Sequence, residues 1–191
     1  SGLLTDQVGG PSLFPPVPQN VLDFNYVKPD WPVATGPDRY RRALYVFRKR
    51  SMPDPALSTF DAPTADTACV RRPRSNTPLA ALTSLNEPIF VEASQALALR
   101  ILREGGRNDA ARADYAYRLC TGRGIKPAER TALLQLLAVQ RKQIAEGWLQ
   151  SNQIASGDDA KRPALPPHTI PQDAAAWTIA RFEFRGKNLL L

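Results

Sequence analysis

Eighteen prolines punctuate this 191-residue chain, and their placement limits every helix it can form. A proline ring fixes φ, removes a backbone donor and clashes with the preceding turn, so it suits the first position of a helix and is excluded from the interior. Residues 1–36 hold Pro11, Pro15, Pro16, Pro18, Pro29 and Pro32, residues 51–77 hold Pro53, Pro55, Pro63 and Pro73, and residues 151–167 end on Pro163, Pro166 and Pro167. None of these stretches can carry a long helix. Pro37, Pro78, Pro88, Pro127 and Pro171, by contrast, stand where helices can open.

The first 36 residues read as an extended arm. Leu13, Phe14, Val21, Leu22, Phe24, Tyr26 and Trp31 make it too apolar for a solvated tether, so it must dock. Thr35-Gly36-Pro37-Asp38 reads as a helix start, and Tyr40, Ala43, Leu44 and Phe47 follow at helical spacing among six cationic residues up to Arg50. Residues 51–77 then form a long ordered central loop. Thr77-Pro78 opens a short helix with Leu79, Leu82 and Leu85, and Asn86-Glu87-Pro88 opens another to about residue 104. Ile89, Ala93, Ala96, Leu97 and Ile101 form its expected inner face, and Gly105-Gly106 ends it. Residues 108–120 carry Ala110, Ala113, Tyr117 and Cys120 on one face, closed by Gly122 and Gly124. From Pro127 a helix runs to about Trp148 with Leu133, Leu136, Leu137, Gln140 and Ile144 inward. Residues 151–167 read as loop, and Pro171-Gln172-Asp173 starts a last helix with Ala176, Trp177 and Ala180. The pattern predicts a mainly α fold: an irregular assembly of five to six helices with a Pro-rich arm (1–36), a helical domain (37–181) and a tail (182–191).

No apolar run reaches the length of a membrane span. Of 25 basic residues 19 are Arg, and the net charge is +7. That balance admits an anionic partner, but basic and acidic residues interleave along the chain, so nucleic acid is disfavoured and Arg is assigned chiefly to ion pairs within the fold. Cys69 and Cys120 fit no zinc spacing; they either pair or act as small buried apolar residues. His168, the only histidine, follows Pro166-Pro167 in a loop and reads as solvated rather than as a catalytic base. No phosphate-cradling glycine motif occurs, and Gly122-Arg123-Gly124 reads as a helix stop.

The central segment is the richest in polar side chains. Asp61, Asp66, Glu87 and Glu92 are carboxylates of irregular spacing, and Arg71, Arg72 and Arg74 form a cationic cluster beside Asn76. We expect a structural knot: Phe60 anchors the loop, Asp61 pairs with a nearby Arg whose other donors reach carbonyl groups, and Thr77 caps the helix opened by Pro78. Asp61, Arg71, Arg72, Arg74, Asn76, Glu87 and Glu92 are thus the candidate ligand or structural cluster. No catalytic residue and no metal ligand is assigned.

Tyr40-Arg41-Arg42-Ala43-Leu44-Tyr45, Thr59-Phe60-Asp61-Ala62-Pro63, Cys69-Val70-Arg71-Arg72, Asn76-Thr77-Pro78-Leu79, Leu85-Asn86-Glu87-Pro88 and Phe90-Val91-Glu92-Ala93 occur in an order that resembles the planctomycete-specific C-terminal domain of unknown function 1553. Ser1-Gly2-Leu3-Leu4, Gly9-Gly10-Pro11-Ser12, Thr121-Gly122-Arg123 and Ala176-Trp177-Thr178 look like the same family. After Arg181 the sequence departs from the family's usual ending, so residues 182–191 are left out of the fold expectation. The resemblance implies the last part of a larger exported protein, periplasmic or secreted, often carrying a c-type cytochrome domain upstream. It implies no cofactor in this chain and, as partners, the upstream domains of the same protein. The function favoured is a non-enzymatic structural or interaction module, because the motif-rich central segment lacks a base, a nucleophile constellation and a metal spacing. The alternatives are part of a hydrolase or polysaccharide-acting enzyme, with a carboxylate site of Asp61 and Glu87 or Glu92 shared with the upstream region, and a binder of anionic polymer or nucleic acid.

Overall fold

A computed structural model describes residues 1–17, 19–23, 30–64, 66–148, 150–156, 165 and 169–188. Phe24, Tyr26 and His168, singled out above, lie outside the described residues. Among those described the protein is mainly helical, and its extended contacts are isolated bridges rather than strands. The helices are α1 (Gln19–Asp23), α2 (Pro55–Thr59), α3 (Pro78–Asn86), α4 (Pro88–Glu104), α5 (Asp109–Thr121), α6 (Pro127–Ala145), α7 (Ser151–Ser156) and α8 (Pro171–Asn188). The five long ones are those expected from the sequence. The short α1 lies inside the arm expected to be extended, α2 and α7 lie inside segments expected to be loop, and α8 continues through residues 182–188, beyond the expected helical domain.

The chain divides into two compact units, Leu3–Val91 and Ser1–Gly2 with Glu92–Leu191. In the first unit the arm docks in parallel on residues 40–47. Thr5 N–H donates to the Tyr40 carbonyl at 3.0 Å, Leu13 N–H to that of Tyr45 at 2.8 Å, and Phe47 N–H to that of Leu13 at 2.8 Å. This overturns the helix expected from Pro37 to Arg50. Only the 3-10 turns Gly36–Tyr40 and Ala43–Tyr45 form, with extended backbone at Arg41 and Val46 between and after them. The physical reason is competition for the same backbone groups: carbonyls and amides that a helix would use internally are engaged by the arm. Leu44, on the expected apolar stripe, is accordingly 84% exposed.

Phe14, Trp31 and Phe47 close over the arm as an aromatic cluster, with centroids 4.7–6.0 Å apart, and Trp31 Nε1–H donates to the Pro15 carbonyl at 2.8 Å. Arg41 is buried. Its guanidinium lies 3.9 Å from the Tyr45 ring centroid and donates to the carbonyls of Gly9 and Pro11, which fixes the Gly9-Gly10-Pro11 turn. α2 packs on α3 in the same unit.

In the second unit α8 packs on α6 and α7, and α5 packs on α6. The α8 face is Ala174, Ala175, Ala176, Trp177 and Ala180, all buried; rows of alanine let helix backbones approach closely, and Trp177 supplies the bulk. Leu133, Leu137 and Ile144 of α6 face the same core, as expected. The inner face of α4 is rotated from the expected one. Ser94, Gln95, Ala98, Leu99, Ile101 and Leu102 are its buried residues, so Ile101 alone of the five expected residues is among them. Gln95 tolerates burial because its Nε2 donates to the Ile154 carbonyl at 2.9 Å, a bond to α7 that helical periodicity cannot reveal. On α5, Ala113 and Tyr117 are buried with Ala116, whereas Ala110 and Cys120 are exposed.

Candidate functional site

The knot expected around Asp61 is present in the first unit, with one of its bonds rearranged. Asp54 caps α2 by accepting from Leu57 N–H at 2.7 Å, and α2 delivers Phe60 against Phe90, with centroids 5.4 Å apart. Asp61 follows in the left-handed region at φ 56°, a conformation in which Asp and Asn are favoured among side-chain-bearing residues. Its carboxylate accepts from Ser75 N–H and Ser75 Oγ–H, both at 2.7 Å. Arg72 reaches the backbone instead: Nε donates to the Asp61 carbonyl at 2.9 Å and Nη2 to that of Phe60. The expected Asp61–Arg ion pair is thus replaced by a carboxylate–Ser75 bridge. The expected Arg-to-carbonyl bonds do form. An acceptor on a tight turn is more readily met by the local N–H and hydroxyl of one serine than by a long flexible cation. These bonds from Ser75, with a smaller contribution from Arg72, hold the Asp61 carboxyl below the usual range.

Thr77 caps α3 as expected, its Oγ1 accepting from Ala80 N–H at 3.1 Å. Glu87 closes α3 and starts α4: its N–H donates to Thr83, and its Oε2 accepts from Phe90 N–H at 3.2 Å. Burial pushes its carboxyl above the ordinary value, assisted by the Asp54 carboxylate and opposed by the backbone amides of Phe90 and Ile89 and by Arg39. Arg71, Arg74 and Asn76 are exposed, Asp66 pairs with the exposed Arg50 at 3.2 Å, and Glu92 belongs to the second unit. The cluster therefore resolves into a knot of Asp61, Arg72 and Thr77, a helix junction at Glu87, and exposed residues around them.

Sequence reasoning missed the polar clusters of the second unit. Arg141 of α6 grips Asp109 of α5 with two bonds of 2.6 and 3.0 Å and Asp173 of α8 with a third of 2.8 Å. Arg130 makes a two-pronged pair with Asp114 at 2.8 and 2.9 Å. Arg123 binds Glu129 at 2.7 and 3.0 Å and the Tyr117 hydroxyl at 2.6 Å, and it holds the Glu129 carboxyl down at about 2. Partners 16 or 32 residues apart leave no local signature; of these clusters only the places of Asp173 at a helix start and of Tyr117 on a helix face are legible in the sequence.

Cys69 and Cys120 are both free and exposed, so neither the pairing nor the buried role weighed from sequence is realised. Among the described residues no group of three or more His, Cys, Asp and Glu is arranged to hold a metal ion, and no helix is long and apolar enough to cross a membrane.

Helices joined by arms and loops, with arginines bonded both to loop carbonyls and to carboxylates, make this a mainly helical protein. The chain belongs to the family described as a protein of unknown function (DUF1553), whose model matches residues 1–137. That span takes in the whole first unit and ends inside α6, so Ala176-Trp177-Thr178 lies beyond it. No curated protein and no solved structure matches the chain.

Proposed function

We propose that this chain is a non-enzymatic structural or interaction module forming the C-terminal part of a larger exported, cytochrome-linked protein, without a cofactor of its own. The observation that carries the reading is where the polar side chains of the knot go. Asp61 is committed to Ser75, Arg72 to two carbonyls and Thr77 to the start of α3, so they order a loop by satisfying its own backbone. α3, meanwhile, turns Leu79, Leu82 and Leu85 outward, with 58%, 55% and 41% of their surface exposed, as a module docking on other parts of its protein would.

The experiment is reconstitution in two pieces. The polypeptide encoded upstream is produced separately and mixed with the 191-residue chain, and association is followed by sedimentation. The module reading expects a complex that Leu82→Asp disrupts while the chain keeps its circular dichroism spectrum. No association, or an association indifferent to Leu82→Asp, refutes docking through this face.

Glu87, half-buried at the junction of α3 and α4, supports a second reading, a hydrolase whose carboxylate site is completed upstream. Turnover of a polysaccharide by the reconstituted protein, abolished by Glu87→Gln with the complex intact, would replace the module reading by this one.

A further inference from the structure

The first unit contains a groove of about 310 Å³ beside α2, whose lining includes Arg48, Lys49, Arg50, Asp54 and Asp66. The backbone reverses at its edge: Met52 N–H donates to the Lys49 carbonyl at 3.0 Å, and Arg50 and Ser51 form the turn between. Pro53, Leu57 and Pro63 add apolar surface and Ser58 a hydroxyl.

The charges of the groove are not equivalent. Asp66 is matched by Arg50 at 3.2 Å, and Asp54 is engaged in capping α2. Arg48 donates to the Pro63 carbonyl, which anchors its guanidinium across the groove while leaving further N–H donors. Lys49, half-buried, forms no ion pair among the described residues. The lining thus carries three cations against the two carboxylates of Asp54 and Asp66, an excess of one positive charge, with Arg48 positioned by a backbone bond and apolar surface beside it. A planar or tetrahedral oxyanion accepts from a guanidinium and an ammonium together, and an attached apolar body covers the Pro53, Leu57 and Pro63 side.

We propose that this groove binds the oxyanion group of a small ligand, a phosphate, sulfate or carboxylate carried on an apolar body, with Arg48 and Lys49 as the anion contacts. The site is separate from the knot and from the α3 face, and it stands or falls independently of the module reading.

The test is an amide chemical-shift titration of the full chain at constant ionic strength with inorganic phosphate, sulfate and phenyl phosphate. The expected result is saturable shifts confined to residues 48–64 and 66, with phenyl phosphate binding tighter than inorganic phosphate. Lys49→Gln removes one charge-assisted contact without touching any bond of the fold and should weaken binding by about tenfold. Arg48→Gln should weaken it at least as much; if that variant fails to fold, Lys49→Gln decides alone. Shifts centred on Arg71, Arg72 and Arg74, equal affinity in Lys49→Gln, or no saturation up to ~20 mM, a range that already covers very weak binding, would each overturn the proposal.

Discussion

Replacing Arg141 tests whether arginine is what holds the second unit's helices in register. Its guanidinium joins α5, α6 and α8 through three charge-assisted bonds of 2.6–3.0 Å, with about a third of the Arg141, Asp109 and Asp173 side chains exposed. Breaking a fully buried pair costs about 3–5 kcal/mol and an exposed one about 0–1, so the intermediate burial places Arg141→Met near 2 kcal/mol. For a chain of this size that lowers Tm by roughly 4–8 °C. Arg141→Lys should recover less than half, because an ammonium cannot serve two carboxylates with a fixed fork. Lys142→Met, one residue on with its side chain 77% exposed, is the control and should be nearly silent.

The pH dependence adds an independent check. Arg141 holds the Asp109 carboxyl below its ordinary value of 3.8, so the stability it brings is present above that pH and is lost as pH falls through the lower folded value. Arg141→Met should therefore flatten the acid limb of the stability profile below about pH 4 as well as lower the plateau. A urea denaturation series from pH 7 to pH 2.5 reads both. A plateau change under about 0.5 kcal/mol, or an acid limb as steep as that of the wild type, would refute the stapling argument.

Further substitutions test the loops and junctions. A Cβ on Gly105 would sit 2.5 Å from the Ile101 carbonyl and 3.1 Å from the Arg112 Cα, so Gly105→Ala should cost about 1–3 kcal/mol in thermal melts, while Gly124→Ala meets nothing and should be tolerated. Asp61→Asn keeps an acceptor for Ser75 and suits φ 56°, whereas Asp61→Ala loses both; the alanine variant should melt distinctly lower, and equal melting temperatures would refute the bridge. Glu87 is protonated more readily folded than unfolded, so its ionisation opposes folding as pH rises. Glu87→Gln should then stabilise the fold slightly at pH 7, and the gain should vanish at pH 4. A loss at pH 7 would show that the cap bond to Phe90 needs the charge.

Helix boundaries were legible where one residue's stereochemistry decides them. Pro78, Pro88, Pro127 and Pro171 each open a helix, and Gly122, at φ 71°, closes α5. Segments whose fate depends on a distant partner were not legible. Residues 37–50 carry a helical pattern, yet arm residues Thr5 and Leu13, more than 30 positions earlier, capture their backbone. The α4 face follows Gln95, whose partner carbonyl is 59 residues on. At the knot, the residue types and the Thr77 cap could be read, because capping is local. The choice of Ser75 over an Arg for Asp61 could not, because it depends on the left-handed turn that Asp61 itself adopts.

The same contrast bears on the meaning of the basic composition. A net charge of +7 invites a reading of the chain as a polyanion binder, but the structure separates arginines that bring cohesion from those that leave charge at the surface. Arg41, Arg48 and Arg72 bind carbonyls, while Arg123, Arg130 and Arg141 bind carboxylates in pronged pairs. A guanidinium can do either because it offers five donors in a rigid plane; lysine, with three donors on a flexible stem, substitutes poorly at these places. The Arg-over-Lys bias is thus explained by bonding geometry. Arg71 and Arg74, exposed around the knot, and Lys49 with the remaining donors of Arg48 in the groove are among the cations left to attract an anion. Charge spread over an open loop gives weak, salt-sensitive attraction, whereas charge set in a groove against apolar surface can select a ligand by shape. Anion binding at the groove should therefore persist at ionic strengths that abolish binding to the loop.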